Sequence, residues 1–105
     1  MVKKYLIFFI LLSFKVCLAQ QETIFNGIVV DAKTQNPIQN VVVSIQNSTA
    51  TQLTKFNGKF ELHSSIAGEQ LLLIHSQGYK DLLLRIKSQF GKNIYLGILQ
   101  LEDTF

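Results

Sequence analysis

Cysteine occurs once in this chain, at position 17, histidine twice, at positions 63 and 75, and tryptophan not at all. A single thiol excludes an internal disulfide framework, so packing alone has to hold the fold. Two histidines fall short of the three protein ligands that zinc catalysis needs beside an open position. Without Trp, the aromatic platforms that carbohydrate binding calls for reduce to Tyr79 and Tyr95 beyond the first twenty residues, both better suited to core or rim packing. Long apolar runs are missing too. The most apolar stretch, Tyr5 to Phe14, is ten residues before Lys15 interrupts it, whereas a membrane-spanning helix needs ~20.

That stretch reads instead as the h-region of a cleavable secretory signal, with Lys3 and Lys4 as its positive n-region. Cys17 and Ala19 supply small residues at −3 and −1, so cleavage is expected after Ala19, with Gln20 an acceptable alternative. The leader is then residues 1–19 and the domain residues 20–105. Cys17 also invites a lipoprotein reading, but Val16 and Phe14 occupy the flanking positions where lipoprotein signals place a small residue and Leu. Removal of the leader takes Lys3, Lys4 and Lys15 with it and leaves seven basic against seven acidic residues. No basic footprint for nucleic acid or anionic lipid survives. The 86 residues from Gln20 to Phe105 suffice for one small domain with little stability to spare.

Within that domain, period-two alternation is broken at short intervals by Gly, Pro, Asn and Ser, which predicts seven short strands. The first runs Thr23 to Asp31, followed by turn chemistry at Thr34, Asn36 and Pro37. A second, Asn40 to Ile45, sets Val41, Val43 and Ile45 on one face. Asn57-Gly58 between Gln52–Phe56 and Lys59–His63 predicts a two-residue type I′ hairpin. Its register places Leu53, Phe60 and Leu62 on one face and Thr54, Glu61 and His63 on the other. Gln70 to Ser76 carries the run Leu71-Leu72-Leu73-Ile74, which suits a strand buried on both faces or covered on one face by a partner. Asp81 to Lys87 alternates as a strand, although Leu82, Ile86 and Phe90 also align at helical spacing. Gly91-Lys92 turns the chain into a last strand, Asn93 to Leu101. Short antiparallel strands at this spacing argue for a sandwich or barrel.

An ordered set of residues carries a family pattern: Phe25, Gly27, Val29 and Asp31; Thr34, Pro37 and Ile38; Val41, Val43 and Ile45; Asn57-Gly58-Lys59-Phe60 with Leu62; and Gly78-Tyr79. It resembles the carboxypeptidase regulatory-like domain, and the resemblance covers essentially the whole region after the leader. It implies an all-β, seven-stranded Greek-key β-sandwich of transthyretin (prealbumin) type. Each marked residue also has a structural reading. Gly27 marks a bulge or close backbone approach, Gly58 and Gly78 turns, and Tyr79 a ring capping the core with its hydroxyl at the surface. The family's namesake domain contributes no catalytic residue to metallocarboxypeptidases. Related copies stand directly after the signal peptide of TonB-dependent outer-membrane receptors of Bacteroidota, the order found here, although no plug or barrel follows Leu101-Glu102-Asp103-Thr104-Phe105.

Catalytic chemistry finds little purchase. Neither His63 nor His75 belongs to a His-x-x-Glu spacing. A hydrolytic set nominally assembled from Ser64 or Ser76, a His and Asp81 lacks a nucleophile-elbow sequence, and adjacent His and Ser on a strand point to opposite sides. Paired glycosidase carboxylates are equally unsupported, Glu61 reading as a solvated residue across from Thr54 and Asp31 as a turn residue. Asn47-Ser48-Thr49 fits a glycosylation acceptor, relevant only in a eukaryotic secretory pathway. No catalytic, metal or cofactor-binding residue is therefore assigned. The expectation is a non-enzymatic exported module, periplasmic, outer-membrane-associated or secreted, contacting an envelope protein or acting as a spacer, with exposed strand edges as the contact surface. The alternatives are the amino-terminal extension of a TonB-dependent receptor and a regulatory domain of a metallocarboxypeptidase.

Intact mass spectrometry of the exported product should give a chain beginning at Gln20 or Gln21. Retention of Lys3 would contradict processing, and a diacylglyceryl increment on Cys17 would establish the lipoprotein instead.

Overall fold

The computed structural model describes residues 21–104; the expected leader, with Cys17 and the cleavage positions Ala19 and Gln20, lies outside the described residues, as does Phe105. Seven strands form in chain order: β1 Thr23–Asp31, β2 Val42–Ile45, β3 Thr51–Leu53, β4 Lys59–Ser64, β5 Glu69–His75, β6 Leu82–Lys87 and β7 Asn93–Leu101. They make two sheets, ordered β4-β1-β7 and β3-β2-β5-β6. The return of β5 to lie against β2, after the chain has visited the other sheet as β4, is the long connection of a Greek key. The β-sandwich expected from the sequence is the fold found.

Side-chain alternation explains why these segments are strands. From β1, β4 and β7, Phe25, Val29, Phe60, Leu62, Leu99 and Leu101 point inward. Val41, just ahead of β2, joins Val43, Ile45, Leu72, Ile74 and Ile86 on the facing side. The two apolar sets meet as the core of the sandwich. In β6, Leu82, Leu84 and Ile86 take the inner face and Leu83, Arg85 and Lys87 the outer, so the alternation prevails over the helical stripe. A helix there would leave β5 paired on one side only.

Three expectations need correction. First, not every pair is antiparallel: β1 and β7 run parallel. The cause lies at their shared end, where Gly91 N donates to Glu22 O at 2.8 Å and Ile24 N to Lys92 O at 3.0 Å. The chain therefore enters β7 beside the start of β1 and must run the same way. The register slips between Asn26↔Tyr95 and Ile28↔Ile98, leaving one extra residue on β7 opposite Gly27. A Cβ at Gly27 would lie 3.0 Å from Gly97 O and 3.1 Å from the Phe60 ring, so the close approach inferred for this glycine is real.

Second, Asn57-Gly58 does not join two strands of one sheet. Lys55 N donates to Lys59 O and Gly58 N to Lys55 O, and Gly58 alone in this turn has positive φ, at 76°. That is a type I turn closed by a left-handed glycine, not type I′. Beyond it the arms separate, β3 pairing with β2 and β4 with β1. A Cβ on Gly58 would lie only 2.5 Å from Val29 O, so the turn needs glycine for space as well as for φ.

Third, the faces of the arm before this crossing are reversed, while Phe60 and Leu62 point inward and Glu61 and His63 outward as expected. Leu53 is 51% exposed and Thr54 only 2%, and Glu61 faces Asn26 rather than Thr54. The Thr54 hydroxyl accepts from Val41 N at 2.9 Å and donates to Ile38 O at 2.7 Å, while its own N–H bonds to Val41 O. A buried threonine thus pins the chain where it leaves one sheet for the other. Smaller differences of boundary accompany these: β2 starts at Val42 rather than Asn40, β3 spans Thr51–Leu53 rather than Gln52–Phe56, β4 ends at Ser64 rather than His63, β5 spans Glu69–His75 rather than Gln70–Ser76, and β6 starts at Leu82 rather than Asp81.

Replacing Thr54 by Val should cost about 2 kcal/mol in urea unfolding, because Val41 N and Ile38 O lose their hydroxyl partner in a buried site. Thr54→Ser should keep most of that stability. Equal midpoints for wild type and Thr54→Val would show that the pin does not hold the crossing.

Candidate contact surface

The residues nominated for hydrolysis are only partly brought together. His75 Nδ1 and Asp81 Oδ1 lie 2.5 Å apart, each side chain 54% exposed. Ser76, however, hydrogen-bonds to neither among the described residues. Ser64 belongs to the other sheet and is buried, its hydroxyl committed to Gln70 Oε1 at 3.0 Å. His63 sits in β4 with Nδ1 3.0 Å from Glu22 Oε1 and Nε2 3.8 Å from Glu61 Oε2. The two histidines therefore occupy different sheets. Among the described residues, no group of three or more His, Cys, Asp or Glu is placed to hold a metal ion. The hydrogen bond to Glu22, with further attraction from Glu61, raises the His63 pKa above its ordinary 6.5.

At the end of the sandwich where β1 finishes, Asp31 organises a turn. Its Oδ1 accepts from Lys33 N and Thr34 N at 2.8 and 3.0 Å, and Oδ2 accepts the Tyr79 hydroxyl at 2.8 Å. The backbone donors, chiefly Thr34, together with Tyr79 hold the Asp31 carboxyl below its usual range. The Tyr79 ring packs on the core, as expected of a capping residue, while its hydroxyl is spent on Asp31. Nearby charges are paired as well, Lys33 with Asp103 at 3.2 Å and Lys80 with Glu102 at 3.8 Å. This end is a structural corner.

The opposite end is built differently. Thr23, Ser64 and Gln70 are polar residues in the inward phase of their strands, and all three are buried. Gln70 Nε2 donates to Ile66 O and to Ser88 Oγ, so one amide ties the 65–68 loop to the segment after β6. An open groove of about 490 Å³ lies against this floor, lined by Gln46, Asn47, Ile66, Glu69, Leu71 and Arg85 among others. Sequence reasoning missed Gln70, yet the signal was present: it shares its phase with Leu72 and Ile74.

From the groove an apolar stripe runs up the outer face of the four-stranded sheet. Register sets Leu71 beside Arg85, Leu73 between Ser44 and Leu83, and Val42 between Leu53 and His75. Leu53 is 51% exposed, Leu83 53% and Leu71 39%, with Val42 and Leu73 half-buried at the centre. Of the two readings of the Leu71–Ile74 run, burial on both faces does not hold. Leu72 and Ile74 are in the core and Leu71 and Leu73 face outward. The outer face of β4-β1-β7 also carries Tyr95, which is exposed rather than packed in the core or rim, and Ile98.

The profile of the CarboxypepD_reg-like domain matches residues 25–105. The chain belongs to that family. The positions that carried the resemblance serve the carboxypeptidase regulatory-like fold: Gly27 a close backbone approach, Gly58 a sheet crossing, Gly78 a left-handed turn and Tyr79 a corner. Among curated proteins none matches. Solved structures share the sandwich. A type II cohesin–X-dockerin complex from Acetivibrio cellulolyticus aligns at 22% identity and TM-score 0.62, over 77% of this chain and 58% of that one. The 3-chlorocatechol 1,2-dioxygenase of Rhodococcus opacus aligns at 14% and 0.60, over 80% of this chain and 61% of that one. The minor pilin GBS52 of Streptococcus agalactiae aligns at 16% and 0.55, over 81% of this chain and 45% of that one. This chain therefore spans less than two thirds of each, and at such identities the likeness concerns fold alone.

A folded-state pKa raised above 6.5 means that His63 favours the folded form below pH 6.5, a contribution lost as pH climbs through the folded value. NMR titration should place the His63 midpoint above 6.5, and Glu22→Gln should move it back toward 6.5. An unmoved midpoint in that variant would remove Glu22 as the cause.

Proposed function

We propose that this chain is a non-enzymatic exported module that works by contact with another protein of the cell envelope. The observation that carries this is the Leu71, Leu73, Leu83 stripe, with Val42 and Leu53 one row further along the same outer face. Contiguous exposed apolar surface with a polar rim is the usual mark of an interaction site on a small domain. Here Glu69, Arg85 and Lys87 rim one end and His75 with Asp81 the other, which would set the orientation of a partner while the leucines supply burial.

The strand edges offer less. β3 is three residues long, β4 and β6 carry Lys59, Glu61, Arg85 and Lys87 on their outer faces, and β7 is bulged. Each of these is a known way of discouraging strand addition. The face, rather than an edge, is the surface we assign. Export rests on the Lys3, Lys4 and Tyr5–Phe14 pattern, and the same face would be available to a free module, to the front of a TonB-dependent receptor, or to a domain regulating a metallocarboxypeptidase.

Leu83→Lys puts a charge at the middle of the stripe at an already half-exposed position and should change stability by no more than about 0.5 kcal/mol. In envelope crosslinking it should abolish the partner adduct, whereas Tyr95→Ser on the opposite sheet should preserve it. Adducts equally strong in both variants, or no protein adduct with wild type, would sink the proposal.

A further inference from the structure

We propose that β1 and β7 form a mechanical clamp, so that the domain resists tension applied along its strands between Thr23 and Leu101. This goes beyond the contact function above and rests on strand order alone. β1 and β7 are the first and last strands among the described residues, they are neighbours, and they are parallel over seven paired positions from Ile24↔Asn93 to Asp31↔Leu101. Parallel terminal strands put the entry and exit of the chain at opposite ends. Each strand is nine residues long, so the two points are separated by roughly 30 Å along the ladder. Tension applied through them runs along the strands. The ladder bonds, evenly spaced and slanted between the parallel strands, are then loaded side by side in shear and must fail together.

Other features reinforce that path. β1 is the middle strand of its sheet, so sliding it also shears its six pairs with β4. Its inward side chains Phe25 and Val29 are fully buried, as are those of Leu99 and Leu101 on β7 to within a few per cent, and displacement along the axis would drag all four through the core. Both ends of the clamp are tied. At the entry, Gly91 N bonds to Glu22 O and Ile24 N to Lys92 O; at the exit, Ala32 N bonds to Leu101 O at 2.9 Å. Past the exit, Lys80 N donates to Glu102 O and Thr104 N to Gly78 O, so load arriving after β7 meets the 76–81 turn before it reaches the ladder. The bulge at Gly97 divides the ladder into two blocks without opening it, because pairing resumes at Ile28↔Ile98.

The test compares two pulling directions in the same molecule. With Cys17→Ser throughout, the full chain is held in an optical trap through Gln21→Cys and Thr104→Cys, which loads β1 and β7 in shear. The second pair, Gln21→Cys and Lys92→Cys, grips the same two strands at their common end and opens the ladder one bond at a time. All three handle sites are exposed, and urea midpoints measured on both pairs establish that they are equally stable. Forced rupture reports the barrier along the pulled direction rather than equilibrium stability, so the shear pair should rupture at about twice the force of the second pair or more. Equal forces, or a weaker shear axis, would overturn the clamp. Neither result bears on partner binding, which is read separately by Leu83→Lys.

Discussion

β1 has a strand on each side, β4 running against it and β7 running with it, and the remaining architecture is arranged around that central position. Because the first described strand lies in the middle of a sheet, its two neighbours have to be supplied by segments remote in sequence. β4 arrives only after the chain has left the other sheet at Thr54, and β7 only after β6 has carried it back to the end where β1 starts. Two points of backbone proximity make this possible, Gly27 against Gly97 and Gly58 against Val29. Each excludes a Cβ. The price of this topology is that most stabilising contacts are non-local and must be assembled together.

Polar groups placed in the inward phase divide the labour between the two ends of the sandwich. Thr54 and Asp31 secure the end where β1 finishes, one by satisfying buried backbone groups and the other by collecting turn N–H donors and the Tyr79 hydroxyl. Ser64 and Gln70 secure the other end, and in doing so hold the wall of the open groove. The apolar stripe then lies on a rigid four-stranded sheet rather than on a loop. A docking face built this way would be presented with little loss of conformational entropy on binding.

Family membership fits this division. The residues that identify a carboxypeptidase regulatory-like domain are the ones that make turns, close approaches and a corner, whereas the outward leucines of β5 and β6 are not part of the pattern. The residues that set the fold and the outward leucines are therefore separate sets. Among the described residues His75 pairs with Asp81, and His63 and His75 stand in different sheets.

Much of the sandwich was legible in the sequence. β1 and β7 have the boundaries inferred from alternation, and the inward sets Val41, Val43, Ile45 and Leu82, Leu84, Ile86 follow from period two, since a strand exposes successive side chains to opposite faces whatever its neighbours do. Strand pairing was not legible, because an Asn-Gly turn specifies how the chain reverses locally but not whether its arms remain in one sheet. Thr54 shows the difference: outward-facing in a continuous hairpin, it is buried once β3 and β4 part company. In the same way the Leu71–Ile74 run determined only that β5 has two apolar faces. The second sheet covers Leu72 and Ile74, whereas Leu71 and Leu73 lie on the outer face, which no third sheet covers among the described residues, and that asymmetry arises from long-range packing, which local periodicity does not encode.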